Sequence, residues 1–198
     1  GDLKGVAGAK SELAEKISPN SPVLLNGDDD LLVGTVARFR RDVITFGLRE
    51  GNHIRAGSIR NMGMKGVSFE LHWGSGAWPV RLKVPGMQNV MNALAAAAAA
   101  LHMDASPDQT VKGLAGFGGL TGRFHAVTLA GGITLVDDTY NANPSSLRAA
   151  LQCVSDLKKP GERLIVGLGE MLELGAASAS AHEEAGRMAA DAGAGYLV

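Results

Sequence analysis

Apolar side chains recur at helical spacing in three parts of the first 120 residues. Residues 2–17 form a polar segment whose apolar positions share one predicted helical face: Val6, Ala9, Leu13 and Ile17. Residues 89–102 are apolar nearly all round, which is typical of a buried helix. Ser106 and Pro107 then open a further helix, with Ser as the N-cap and Pro in the first turn.

Between these helices the apolar positions follow strand spacing. Short apolar runs predict strands at residues 23–26 and 43–47. Apolar and polar positions then alternate over residues 67–84 around a Gly-rich turn, which predicts a β-hairpin with one buried face. The less regular stretch 53–60 is expected to add a third strand.

The second half alternates strands and helices. Apolar strands are predicted at residues 133–138, 163–168 and 196–198, with helices starting at Ser145 and spanning 178–192. This spacing predicts a parallel sheet and an α/β fold class. Gly-rich residues 116–122 indicate a linker or hinge, and we place the domain boundary near residue 105, giving parts 1–105 and 106–198.

Composition excludes several classes of protein. A chain of 198 residues with a net charge of −1 and 45% apolar residues is neither a disordered acidic tail nor a strongly basic nucleic-acid binder. One cysteine, Cys153, excludes an internal disulfide, fits a reducing compartment and is interpreted as a packing residue. The apolar run 93–101 is too short to span a bilayer. The start has no Met and no targeting character, and the end stops inside a predicted strand, so we expect an internal piece of a longer protein.

The stretch from Asp137 to Pro144 is the most informative for chemistry. Two carboxylates end an apolar strand, and Asn143 and Pro144 are the natural N-cap and first residue of a helix. In open α/β sheets, ligands bind at this end of the strands. The carboxylate, phenol and amide groups fit a ribose, a phosphate or a metal-bound water, but they also fit a simple turn and cap.

Other polar residues allow both a functional and a structural interpretation. Arg123 fits a phosphate contact or a solvated side chain, and Asn89 and Asn92 fit a purine edge or a helix cap. Lys10 and His182 are more often a surface charge and a capping or packing group. The chain contains no complete G-x-x-x-x-G-K-[ST] phosphate loop, and its five His show no metal-ligand spacing.

Taken in order, six segments resemble a Mur ligase. They are Gly1–Glu12, Leu25–Asp29, Pro85–Ala96, Gly122 with Arg123, Asp137–Ser146, and Gly169–Gly175 with His182. The resemblance implies a three-domain enzyme, of which this chain holds the later part of the central ATPase domain and the first part of a Rossmann-like C-terminal domain. The hairpin would then be the small antiparallel sheet beside the central parallel sheet.

The resemblance also implies an activity. The family member resembled most is an ATP- and Mg²⁺-dependent cytoplasmic ligase that adds D-alanyl-D-alanine to UDP-N-acetylmuramoyl-tripeptide through an acyl phosphate, in peptidoglycan precursor synthesis. It implies a monomer with no nucleic-acid partner and no membrane insertion, and this piece alone is expected to be inactive. The alternatives are another Mur-like ligase, such as a folylpolyglutamate-synthase-type enzyme, and a non-catalytic nucleotide-binding module.

The resemblance assigns catalytic roles to three residues. Lys10 matches the carbamylated lysine that helps to hold Mg²⁺ near the ATP γ-phosphate. Arg123 and Asp138 match the contacts of the C-terminal domain to phosphate and ribose. Closure about the hinge at 116–122 would bring both residues onto ATP bound by the central domain.

Further residues are assigned to nucleotide binding. Asn89 and Asn92 match the asparagines on the adenine side. Gln88 stands where the family usually has His, and Glu170 where it usually has Asp. The remaining residues line the same loop as Asp138: Tyr140, Asn141 and Asn143.

Overall fold

The computed structural model of the chain describes residues 3–40 and 42–198, and these divide into two compact units. The first unit holds the described residues up to Arg60, together with Val67–Leu82 and Asn89–Phe117. The second unit holds Asn61–Gly66, Lys83–Gln88 and Gly118–Val198.

The first unit is built on a five-stranded sheet. Its strands lie in chain order: β1 (Val23–Asn26), β2 (Val43–Gly47), β3 (Ile54–Asn61), β4 (Val67–Trp73) and β5 (Gly76–Leu82). The ladders β1–β2 and β2–β3 are parallel, whereas β4 and β5 form an antiparallel hairpin with Val67 opposite Leu82. The predicted α/β class is confirmed, and the hairpin continues the same sheet as the parallel strands.

Four helices accompany this sheet: α1 (Leu3–Lys16), α2 (Asp30–Val36), α3 (Met87–His102) and α4 (Pro107–Gly116). Helix α4 begins at the predicted N-cap Ser106, with a capping box to Gln109, and contacts β5. Helix α2 was not predicted from the sequence. The boundary expected near residue 105 stays a prediction, and Asp2, where the first helix was expected to begin, lies outside the described residues.

The predicted apolar face of α1 is wrong. Val6 is 47% exposed and Leu13 is 71% exposed. The side chains that α1 buries are small: Ala7, Ser11 and Ala14. Ala14 packs with strand β1 and with helix α2, and small side chains allow such close approach of a helix to its neighbours. Burial on α1 therefore follows side-chain size rather than hydrophobicity.

The second unit contains two short sheets and two helices. Its elements are β6 (His125–Thr128), β7 (Thr134–Asp137), α5 (Pro144–Leu157), β8 (Leu164–Val166), α6 (Ser178–Asp191) and β9 (Ala194–Leu197). Strands β6 and β7 are antiparallel, and β8 and β9 are parallel. Helices α5 and α6 pack on β8 through Leu151, Val166 and Met188.

The predicted order of elements in this unit is right, but the pairing of its strands is only partly so. Strand β6 was missed, and in the part of the chain that the structure describes β7 pairs with β6 and forms no ladder with β8. Consecutive strands are neighbours in most sheets but not in all, so alternation alone does not fix the pairing.

Two further expectations concern single features. Cys153 is buried on α5, and its burial raises the pKa of the thiol to about 11, which agrees with a packing residue. Among the described helices none combines the length and the apolar character needed to cross a membrane.

Candidate functional site

Two neighbouring carboxylates at the end of β7 hold the segment that precedes β6. Asp137 accepts the backbone N–H of Gly122 at 3.1 Å, and Asp138 accepts the backbone N–H of Phe124 at 2.9 Å. The predicted polar stretch therefore lies directly against Arg123, the residue between these two donors. The family resemblance assigned Arg123 and Asp138 to one nucleotide site, and the fold of the second unit places them next to each other.

Asp137 is a structural acceptor with three donors. The hydroxyl of Thr139 donates to it at 2.7 Å, and the backbone N–H groups of Thr139 and Gly122 add two longer bonds. The Thr139 hydroxyl is the main reason that the pKa of Asp137 lies below its usual value. Thr139 had no assigned role in the sequence interpretation, and its value here is to keep this carboxylate charged and oriented.

The segment around Arg123 has an unusual backbone. Gly122 has φ +75°, and Phe124 has φ +49° although it carries a side chain. The Phe124 ring is only 5% exposed, and the Gly122 carbonyl accepts the N–H of Tyr140 at 3.0 Å. The buried Phe124 side chain and three hydrogen bonds of the Gly122 and Phe124 backbone hold this left-handed conformation. Such backbone strain is typical of functional sites.

Arg123 stacks on Tyr140. The guanidinium carbon lies 3.7 Å from the centroid of the phenol ring, within cation–π distance. Both side chains are exposed. The contact leaves the edge of the guanidinium plane, which carries its N–H donors, available for a phosphate group.

The helix start that follows the site is capped by Asn143. Its side-chain oxygen accepts the N–H of Ser146 at 2.9 Å, and the Ser146 hydroxyl accepts the N–H of Asn143 in return. The cap interpretation of Asn143 therefore holds, with its carbonyl oxygen committed to α5. Tyr140 and Asn141, by contrast, are exposed next to Asp138.

A groove of about 1250 Å³ runs past this loop within the second unit. Its walls include β7 with Asp138–Asn141 on one side and β8 with Gly167–Leu172 on the other. In the part of the chain that the structure describes β7 and β8 form no ladder, and residues of α5 and α6 line the groove as well. The polar side chains that line the groove lie mainly just after the carboxyl ends of these two strands.

The segment Gly169–Gly175 is fixed to α6 by His182. The Nε2 atom of His182 accepts the backbone N–H of Met171 at 3.0 Å. The packing role considered for His182 is thus a specific hydrogen bond at the border of the groove. No periodicity in the sequence could have indicated which amide it binds.

The first unit carries the other predicted site residues. Lys10 is exposed on α1, three residues after buried Ala7 and four before buried Ala14. Asn92 donates to the side-chain oxygen of Asn89 at 3.5 Å in the first turns of α3. Among residues 3–40 and 42–198, no group of three or more His, Cys, Asp or Glu side chains could hold a metal ion.

In the first unit, the carboxylate of Asp28 has a structural role. Asp28, after β1, accepts the N–H groups of Leu48 at 2.6 Å and Arg49 at 3.2 Å, and the Asn52 amide at 2.9 Å. Burial raises the pKa of Asp28, but these bonds and the nearby Arg49 charge outweigh it and hold the pKa below its usual value. Both carboxylate oxygens are used by the chain itself, so Asp28 joins the ends of two parallel strands.

Comparisons with known proteins agree with this architecture. The family model for the Mur ligase middle domain matches residues 1–100, and the model for the Mur ligase glutamate ligase domain matches residues 122–198. The chain is 36% identical over 194 residues to the UDP-N-acetylmuramoyl-tripeptide–D-alanyl-D-alanine ligase of Escherichia coli (strain K12), covering 98% of this chain and 42% of that protein.

Solved structures give the same result. The MurF crystal structure from Acinetobacter baumannii matches with a TM-score of 0.84 at 32% identity, covering 98% of this chain and 41% of that one. The Thermotoga maritima MurF ligase, in complex with ADP, matches with a TM-score of 0.79 at 25% identity, covering 95% and 43%. This chain spans about two fifths of the length of these relatives. Since the two family models together match most of its length, the chain belongs to the Mur ligase family.

Proposed function

We propose that the full-length protein is an ATP-dependent ligase that adds D-alanyl-D-alanine to UDP-N-acetylmuramoyl-tripeptide in the cytoplasm, for peptidoglycan precursor synthesis. The observation that carries the proposal is the clamp of Asp137 and Asp138 on the turn that bears Arg123. The identity of the relatives supports the choice of substrates.

The proposed reaction has two steps. The terminal carboxylate of the tripeptide attacks the γ-phosphorus of ATP, so that ADP leaves and an acyl phosphate forms. The amine of D-alanyl-D-alanine then attacks the acyl carbon, phosphate leaves, and the amine gives up a proton as the amide bond forms. Because the chemistry is carried by the substrates, the protein contributes mainly positioning and charge neutralisation.

Within this reaction Arg123 and Asp138 are the contacts of the second unit to the nucleotide. The guanidinium of Arg123, held over Tyr140, suits phosphate oxygens. Asp138 keeps one oxygen bound to the Phe124 amide and offers its charge and second oxygen to a ribose hydroxyl. Tyr140, Asn141 and Asn143 complete the loop.

The first unit contributes Asn89, Asn92 and Lys10. The two amides on one face of α3 suit the edge of adenine. Lys10 is exposed and makes no hydrogen bond or ion pair in the part of the chain that the structure describes, so its amine is accessible to CO₂. A carbamate at Lys10 would supply one oxygen ligand to Mg²⁺, which neutralises phosphate charge when bound. A single such ligand fits a metal held largely by phosphates and water.

We further propose that the protein acts as a monomer, without nucleic acid and without membrane insertion. The proposed domain parts are 1–105 and 106–198, and residues 116–122 are proposed as the hinge about which Arg123 and Asp138 move. Hinge closure would bring the residues of both parts to one nucleotide.

The test is phosphate release by the full-length protein. We expect release only when ATP, the tripeptide and D-alanyl-D-alanine are all present, and none from residues 1–198 alone. Turnover with a free amino acid in place of the dipeptide, or with glutamate as the amine and a folate as the carboxylate substrate, would favour a related ligase of the same family. ATP binding without turnover of any acceptor would favour a nucleotide-binding module.

A further inference from the structure

The protonation state of His182 is set by its two partners. Its Nε2 atom lies 3.0 Å from the backbone nitrogen of Met171. Its Nδ1 atom lies 2.8 Å from the carbonyl oxygen of Ser178 and 3.4 Å from the hydroxyl oxygen of the same residue, which can donate or accept. A backbone N–H can only donate and a carbonyl can only accept. The ring is therefore neutral, with its proton on Nδ1 and a lone pair on Nε2.

The residue that His182 holds is the anchor of its segment. The Met171 side chain is buried among Ala181 and Ala185 of α6. Its neighbours Glu170 and Leu172 are exposed. The segment Gly169–Gly175 is thus attached at Met171 twice, by its side chain and by its amide.

This segment borders the groove opposite Asp138. Both follow the carboxyl end of a strand, β8 for the segment and β7 for Asp138, and both line the same cavity together with His182. A ligand that fills the groove would therefore contact both Asp138 and the segment that His182 holds.

We propose that His182 is a positioning residue, whose neutral ring holds Gly169–Gly175 against α6 and whose protonation releases it. An imidazolium carries a proton on both nitrogens, so Nε2 would no longer accept the Met171 N–H and two donors would face each other. The role in the ligase reaction rests on the proposed function, whereas the hold on the segment does not.

The surrounding charges do not offer an alternative partner. The segment carries Glu170 and Glu173, α6 carries Glu183 and Glu184, and Asp138 lies across the groove. Glu183 pairs with Arg187 and Glu184 with Arg148. Within the described residues no carboxylate pairs with His182, so the main effect of proton uptake is the loss of an acceptor.

The first experiment is hydrogen exchange of the full-length protein, measured at the Met171 amide. At pH 7.5 we expect His182→Leu to lower protection of this amide about tenfold, and His182→Gln to keep it within about threefold, since its amide oxygen reaches the place of Nε2. His102→Leu, at an exposed histidine, is the control, and protection of β8 verifies folding. Equal protection of Met171 in wild type and His182→Leu would overturn the proposal.

The second experiment varies pH. The residues around the Met171 amide are the same in wild type and in His182→Gln, so its intrinsic exchange rate at a given pH is also the same. The ratio of the two measured Met171 exchange rates therefore reports only the difference in protection. We expect wild type to lose about fivefold of its protection relative to His182→Gln between pH 7.5 and 5.5, and kcat/KM for ligation to follow the same ratio. A ratio that does not change with pH overturns the proposal. Absence of ligation would count against the proposed function alone, because exchange needs no turnover.

Discussion

The guanidinium carbon of Arg123 lies 3.7 Å from the centroid of the Tyr140 ring, and the N–H of Tyr140 is bonded to the carbonyl of Gly122. Both contacts join the two segments that the carboxylates of Asp137 and Asp138 also link. The backbone bond sets their spacing, and the ring sets the plane of the guanidinium. A long side chain with many rotamers is in this way oriented before a ligand arrives.

Replacing Tyr140 tests this orientation. We expect Tyr140→Leu to raise KM for ATP about two- to fivefold, the value of an exposed cation–π contact, and Tyr140→Phe to keep KM near that of wild type because the ring remains. Steady-state phosphate release by the full-length protein measures both. Equal KM values for the Leu and Phe variants would show that the ring does not position Arg123.

Asp138 is tested by a substitution that keeps its structural bond. Asparagine retains an oxygen for the Phe124 N–H, which Asp138 accepts at 2.9 Å, but removes the charge. If the charge serves the nucleotide, Asp138→Asn lowers kcat/KM about ten- to hundredfold, the value of a hydrogen bond to a charged group, with little change in thermal stability. Asp138→Ala should also lower stability, since the Phe124 amide loses its acceptor. Wild-type kcat/KM in Asp138→Asn would contradict the assignment.

Much of the site could be predicted because its signal is local. Consecutive polar residues after an apolar strand marked Asp137 to Asn143, and the cap at Asn143 needs only its own neighbours. The partners of the carboxylates could not be predicted. The bonds from Gly122 and Phe124 depend on β6 lying antiparallel to β7, which is a long-range pairing.

The fold shows the same division between local and long-range information. The N-cap at Ser106 and the alternation of β4 and β5 were read correctly because both are short-range patterns. The face of α1 was not, because apolar spacing does not report that Ala7 and Ala14 are small enough for close packing. The pairing of β7 with β6 was missed for a related reason, since the order of elements does not determine which strand edges meet.

Arg40 should contribute strongly to the stability of the first unit. It is buried and donates to the carbonyl oxygens of Ser18, Pro19 and Ser21 and to the carboxylate of Asp42. We expect Arg40→Met to lower the free energy of unfolding by about 2–4 kcal/mol, because three backbone carbonyl groups lose the charged donor that this buried side chain provides. Urea unfolding followed by tryptophan fluorescence measures this, since both tryptophans of the chain lie in the first unit.

Asp42 provides the matched control for Arg40. Its side chain is 67% exposed, so the ion pair itself is largely screened by water. Asp42→Asn should therefore cost less than about 1 kcal/mol. If Asp42→Asn lowered the free energy of unfolding as much as Arg40→Met, the ion pair rather than the three carbonyl bonds would be the stabilising interaction of Arg40.

Asp28 should stabilise the first unit through its hydrogen bonds. Three hydrogen bonds from the segment that follows β2 end on its carboxylate, and Asn would place an amide against donors that need an acceptor. At pH 7 we expect Asp28→Asn to lower the free energy of unfolding of the first unit by about 1–3 kcal/mol. Glu50→Gln, at an exposed acidic residue in the same unit, should leave it within about 0.5 kcal/mol of wild type.

The pH dependence follows from the sign of the shift. The pKa of Asp28 is lowered in the folded chain, so the folded state holds the charged form more tightly than the unfolded state does. Its contribution is complete above the unfolded value of about 3.9 and is lost as pH falls through the lower folded value. The difference in unfolding free energy between wild type and Asp28→Asn should therefore be constant between about pH 5 and 8, above the unfolded value, and shrink below about pH 4. A difference that persists unchanged at about pH 2 would show that the cost of the variant is steric and does not come from the charge.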